Sequence, residues 1–158
     1  MRQRSKCLSF RRAWTIGIII SLSIIGVILL AHFKIVIVHG NSMYPTLRDG
    51  QMLIVSKDNA EIERGSIIVF KKDDAVYIKR VIALEGDIVA KDAYAGYLAV
   101  NGVEIMHEKP EHTSDPEISV IPKDCFFVLG DNYSESIDSR NSEVGLVSKE
   151  EIIGVAKE

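Results

Sequence analysis

The sequence predicts a mostly β domain held behind a single N-terminal apolar helix. Three observations carry that reading. The 21 residues from Ala13 to Phe33 contain no Lys, Arg, Asp or Glu. Short runs rich in Ile, Val, Tyr and Phe follow it, and turn-forming pairs such as Asp49-Gly50, Arg64-Gly65 and Asn101-Gly102 separate those runs. In a chain of 158 residues a helix of that length leaves about 120 residues, enough for one core. The expected organisation is a basic tail over residues 1–12, a spanning helix over 13–33 and a globular domain over 34–158.

Arg2, Arg4, Lys6, Arg11 and Arg12 give the tail five positive charges and no acid. A helix from Ala13 to Phe33, rising about 1.5 Å per residue, covers roughly 30 Å, the thickness of a bilayer's hydrocarbon core. The basic flank, with Trp14 at the start of the apolar run, places the N-terminus in the cytoplasm and the rest of the chain outside. A cleaved secretory signal peptide would have a shorter apolar stretch, about 7 to 15 residues, ending in a small-x-small site. Here the exit reads Leu30-Ala31-His32-Phe33. A buried helix of a soluble fold would need a larger core than this chain supplies. A single-pass anchor in the cell membrane is therefore expected, with the lipid bilayer as a partner.

After Lys34, the β-branched run Ile35–Val38 reads as a strand ending in the turn His39-Gly40-Asn41. Further strands are expected over Gln51–Ser56, Ser66–Phe70, Ala75–Leu84, Tyr97–Val100, Cys125–Leu129 and Ile152–Ala156. No amphipathic helix of convincing length interrupts them, which sets the mostly β class. Residues 107–122 differ. They are polar, hold three of the four prolines and read as an exposed loop. His107 and His112 stand five apart with Pro110 between them, so they cannot line one helical face as a zinc pair does. No metal site is expected, and Cys7 and Cys125 form no disulfide framework.

With five of the 19 basic residues in the tail, the remainder carries 14 against 22 acidic residues, a net charge near −8. That balance argues against nucleic acid as a partner, because phosphate contacts need clustered Lys and Arg.

Candidate chemistry begins in Gly40-Asn41-Ser42-Met43-Tyr44-Pro45-Thr46-Leu47, where a strand ends and a serine is presented on a turn. Such a serine is by itself more often structural. Its significance depends on Lys79, in Val76-Tyr77-Ile78-Lys79-Arg80-Val81-Ile82-Ala83. On the strand period of two, Lys79 shares a face with Tyr77, Val81 and Ala83, and Arg80 shares the other with Ile78 and Ile82. One of the two cations must therefore meet an apolar surface. A free lysine, with pKa about 10.4, is neutral in only about one molecule in a thousand near pH 7.5, but burial lowers that value, by up to about 3 to 5 in fully buried cases. A lysine so placed can act as a base toward a serine hydroxyl. The plainer alternative is a lysine snorkelling from an edge strand to water. A third block, Leu129-Gly130-Asp131-Asn132-Tyr133-Ser134-Glu135-Ser136-Ile137-Asp138-Ser139-Arg140, adds hydroxyls and a possible Asp138–Arg140 pair just after an apolar strand.

These blocks, in this order behind an N-terminal anchor, resemble bacterial type I signal peptidase, the Ser/Lys proteases of the leader-peptidase family, in the compact form typical of Gram-positive bacteria. The resemblance rests on Ser-Met-x-Pro-Thr-Leu, on Lys-Arg-Val with Gly86-Asp87 downstream, and on Gly-Asp-Asn-x-x-x-Ser-x-Asp-Ser-Arg. It runs from the anchor through Gly145. It implies a mostly antiparallel β domain close to the membrane and a serine endopeptidase that removes signal peptides from secreted preproteins, cutting after small residues. By the same resemblance Ser42 is the nucleophile and Lys79 the general base. Ser136 orients the lysine amine, Asp138 and Arg140 brace the loop that holds it, and Met43 packs beside the nucleophile. The Ser42 backbone N–H is an oxyanion donor. No cofactor is needed, and a monomer is expected. Two departures stand out: Gly40 occupies the position where many members carry a serine hydroxyl for the oxyanion, and the segment between the second and third blocks is short.

Two other readings differ in class or base. A hydrolase using His39 would place base and nucleophile three residues apart on one strand end, an awkward geometry. An inactive membrane-tethered peptide-binding β module would have no need of Ser42, Lys79 and Ser136 together.

Overall fold

The apolar stretch forms one helix with the residues before it: α1 runs over Arg2–His32. The computed structural model describes residues 2–57, 62–92, 97–107 and 117–156, and the chain divides into two compact units, residues 1–34 and 35–158. In the first unit Trp14, Ile16, Ile18, Ile19, Ile20, Leu22, Ile24, Ile25 and Val27 are all exposed, so the helix is apolar right round. Among the described residues no helix is long and apolar enough to cross a membrane. The side chains of Ala13 and residues 28–30, within the expected span, lie outside those described.

The strands are β1 (Phe33–Ile37), which begins at the end of the first unit, and, in the second, β2 (Met52–Ser56), β3 (Ile67–Lys72), β4 (Ala75–Ala83), β5 (Ile88–Asp92), β6 (Tyr97–Val100), β7 (Val103–His107), β8 (Glu117–Val120), β9 (Cys125–Leu129), β10 (Val147–Ser148) and β11 (Ile152–Ala156). Seven of them form a sheet in the order β1-β2-β11-β3-β4-β9-β10, and four form a second sheet, β7-β6-β5-β8. The ladders joining β2 to β10 within the first sheet, and all those of the second, are antiparallel. The last strand, β11, lies between β2 and β3.

The second sheet corrects the sequence reading. Of the segment 107–122, expected to be an exposed loop, His107 ends β7 and Glu117–Val120 form β8 on β5; residues 108–116 lie outside the described residues. The short stretch between the second and third blocks thus folds as a four-stranded sheet. Its β6–β7 hairpin follows from Asn101-Gly102, both with left-handed backbone at φ 52° and 78°, as a tight two-residue turn requires.

Three apolar clusters make the core. Ile68, Phe70, Val81, Val128 and Val147 fill one under the large sheet. Ala83, Phe127 and Leu129 meet Val89, Leu98, Val100 and Met106 in the second, which joins the two sheets. Val38, Met43, Leu47, Leu53, Val55, Ile67 and Val69 form the third. Burying a residue such as Leu or Met contributes on the order of 1.5–3 kcal/mol, so each cluster fixes the loops that reach into it.

Candidate active site

Ser42 lies in the loop between β1 and β2, whose base is closed by Val38 N–H donating to Gln51 O at 2.9 Å and Gly50 N–H donating to Val38 O at 2.9 Å. Gly40 N–H donates to the Asp49 carboxylate at 2.8 Å. Gly40 has φ +81° with open space around it, so backbone conformation rather than crowding favours glycine here. Within the loop Tyr44 N–H donates to Asn41 O at 3.0 Å and Leu47 N–H to Met43 O at 2.8 Å, and the Tyr44–Pro45 peptide is cis. Met43, 1% exposed, packs into the third core cluster. The core thus grips the residue next to the nucleophile candidate.

Lys79 sits in β4, opposite Ile68 of β3, and β4 pairs with β9 on its other side. Alternation holds along the strand: Lys79, Val81 and Ala83 are buried, and Ile78, Arg80 and Ile82 are partly exposed. Lys79 is 3% exposed, and its Nζ donates to Ser42 Oγ at 2.7 Å. Burial pushes its pKa down from the usual lysine value and Arg140 adds to that, while the charges of Asp138 and Asp131 pull the other way. The hydroxyl thus faces an amine whose neutral form is favoured by its surroundings.

The third block leaves β9 beside this pair and is tied down at nearly every residue. Asp138, fully buried, accepts Gly130 N–H at 3.0 Å and the Arg140 guanidinium at 2.9 and 3.0 Å. Arg140 also donates to the carbonyl of Tyr133 at 2.7 Å, and its guanidinium lies 5.8 Å from the Tyr133 ring centroid. Ser139 returns the loop to β9 through Val128, donating its N–H at 3.1 Å and accepting one at 2.9 Å. Asp138 and Arg140 are therefore joined as an ion pair within the loop.

Ser136 behaves differently from expectation. Its Oγ is buried with no hydrogen-bond partner among the described residues, and the bond anticipated from Ser136 to the lysine amine is not made; the amine meets Ser42 instead. Ser136 stands against Gly130, where an added Cβ would run into Ser136 Oγ and the carbonyl oxygen of Ser42. Glycine at 130 is therefore a packing requirement.

The sequence reading passed over two residues of this block. Asp131 forms a two-pronged ion pair with Arg80, at 2.9 and 2.7 Å. Burial raises its pKa, but the bonds from Arg80 and Thr46 and the charges of Arg80 and Lys79 outweigh this and leave it below the ordinary carboxylate value. Asn132 donates its N–H to Ser42 O at 3.0 Å and its side-chain amide to Asn41 O at 3.2 Å. The available signal for Asp131 was Arg80 itself, a cation on a strand face that needs a partner.

Residues 11–158 match the family described as signal peptidase, peptidase S26. The chain belongs to this signal peptidase family. It is 34% identical to signal peptidase I S of Bacillus subtilis strain 168, over 98% of this chain and 89% of that protein. It is 35% identical to a signal peptidase I of Bacillus amyloliquefaciens, over 91% and 83%. A crystal structure of a signal peptidase I from Enterococcus faecalis V583 aligns with a TM-score of 0.47 at 27% identity, over 61% of this chain and 97% of that one. The chain is thus a serine endopeptidase of the signal peptidase I type, and its family removes signal peptides from preproteins.

Proposed function

We propose that Ser42 is the nucleophile and Lys79 the general base with which this signal peptidase cuts its preproteins. The supporting observation is the 2.7 Å contact between Lys79 Nζ and Ser42 Oγ, made by an amine that burial holds below its usual pKa. Neutral Lys79 takes the proton of Ser42 Oγ as that oxygen bonds to the scissile carbonyl carbon. The tetrahedral oxyanion is met by the Ser42 backbone N–H. Collapse breaks the C–N bond, Lys79 returns the proton to the departing amine of the mature chain, and an acyl-enzyme remains. Water, deprotonated by the same lysine, releases the signal peptide. Asp138 and Arg140 brace the loop beside this site, and Met43 anchors the nucleophile's turn. Ser136, its hydroxyl buried and without a hydrogen-bond partner among the described residues, orients the lysine once the Ser42 proton has moved.

The substrate enters as an extended segment beside a strand edge, with small residues at the first and third positions before the cut. The chain works as a monomer anchored in the cell membrane by residues 13–33, N-terminus in the cytoplasm and catalytic domain outside. Support comes from the uncharged stretch itself and from the apolar side chains exposed right round α1. Ser42→Ala and Lys79→Ala should each abolish preprotein cleavage in a purified assay; undiminished cleavage by either variant rejects the assignment. Membrane flotation tests the anchor, and recovery of the intact chain in the soluble fraction rejects it.

A further inference from the structure

We infer that Asn132 is a positioning residue for the oxyanion donor, its side-chain amide holding the Asn41–Ser42 peptide group by the carbonyl so that the Ser42 N–H at the other end keeps its aim. This rests on the reading of Ser42 as nucleophile. Asn41 C=O and Ser42 N–H belong to one planar unit and point in opposite directions, so fixing the oxygen fixes the hydrogen. Asn41 O accepts two bonds: from Tyr44 N–H at 3.0 Å, inside the same turn, and from Asn132 Nδ2 at 3.2 Å, from a segment 91 residues further on. The backbone N–H of Asn132 meanwhile donates to Ser42 O at 3.0 Å. One residue therefore holds two successive carbonyls, one on each side of the Ser42 α-carbon.

The amide is itself oriented. Ser134 Oγ donates to Asn132 Oδ1 at 3.1 Å, which leaves the NH2 group for Asn41. The residue before Asn132 is fixed by the Arg80–Asp131 pair. A bond accepted at the carbonyl also polarises the peptide and makes its N–H a stronger donor. Gly40 brings no hydroxyl to the oxyanion, and its φ of +81° is one that other residues rarely adopt. More of the stabilisation then falls on the Ser42 N–H, and its direction matters more.

The test uses the full-length chain in detergent micelles with a preprotein substrate. Asn132→Ala deletes the amide and keeps the backbone N–H. It should lower kcat about tenfold, less than the roughly 10²–10³-fold loss on deleting an oxyanion donor outright. KM and the ascending limb of the pH profile should stay in place, because neither ground-state binding nor Lys79 is touched. Asn132→Asp, of similar size, sets a carboxylate oxygen against Asn41 O and should lose more; Ser134→Ala should lose less. The inference is overturned if kcat stays within about twofold of the parent in both Asn132 variants, or if the loss comes with a moved pH limb or a matching rise in KM. Should Asn132→Ala fail to fold, the aspartate variant decides, and parental activity there overturns the inference. Failure of the nucleophile assignment is separate, since it appears as cleavage by Ser42→Ala.

Discussion

Lys79 and Arg80 are neighbours on one strand, and their side chains leave on opposite faces to opposite ends. Arg80 finds Asp131, in a two-pronged ion pair, and the backbone oxygen of Gly65 at 2.8 Å. Lys79 is buried and donates to the Ser42 hydroxyl, with the charges of Asp138, Arg140 and Asp131 around it. The difference is one of state as well as place. A guanidinium remains charged under any condition a protein meets, so its burial demands a carboxylate; an ammonium can shed its proton when burial disfavours it. The strand thus carries one cation kept as a cation and one prepared to be neutral.

The comparison breaks most sharply at Lys79. Lys79→Arg and Lys79→Met should each reduce preprotein cleavage by roughly 10³-fold or more, the scale of losing one member of a nucleophile–base unit. Their stabilities should part. Methionine should fold at least as stably as the parent, because a buried amine is replaced by an apolar chain of similar length, whereas arginine brings a permanent charge into the core. The sign with pH follows from a lysine pKa that is lower in the folded chain than the usual 10.5. The penalty for holding the ammonium inside is complete below the folded pKa and fades as pH rises toward the ordinary value. The stability advantage of Lys79→Met should therefore be largest at low pH, read from melting temperatures across a pH series. The activity of the parent should climb along a limb below that of an ordinary lysine, and a limb near pH 10 would contradict the burial argument.

Gly130→Ala comes next in size. Its new methyl would meet Ser136 Oγ and the carbonyl of Ser42, and forced contacts of this kind cost about 1–3 kcal/mol. Because the contacts are at the site, cleavage should fall more than the melting temperature suggests. Arg80→Lys should have the smallest effect: it keeps the charge and loses the fork that grips Asp131. An ion pair of partly exposed groups is worth only about 1 kcal/mol or less, so the variant should show a slightly lower melting point and retain cleavage.

Much of this was legible in the chain itself. The alternation around Lys79 follows from strand period alone, and Met43 and the Asp138–Arg140 pair needed only motif order to find. The second sheet was not legible except for β6, because β5, β7 and β8 are strands of four or five residues with charges among their apolar positions, as in Val103-Glu104-Ile105-Met106-His107. Their pairing comes from partners distant in sequence, as when β8 closes on β5. Asn132 was equally hidden, since its contact crosses 91 residues and nothing local in Asp131-Asn132-Tyr133 marks it as other than a turn.

The position of β11 bears on timing. The hairpin that presents Ser42 and the strand that carries Lys79 are not neighbours in the large sheet; Ile152–Ala156 lie between β2 and β3 and join the two halves. During synthesis, Ser42 and Lys79 emerge long before that strand does. A chain halted short of it holds both residues without the strand that joins the two halves of the sheet, so their juxtaposition arrives late, with Ile152–Ala156.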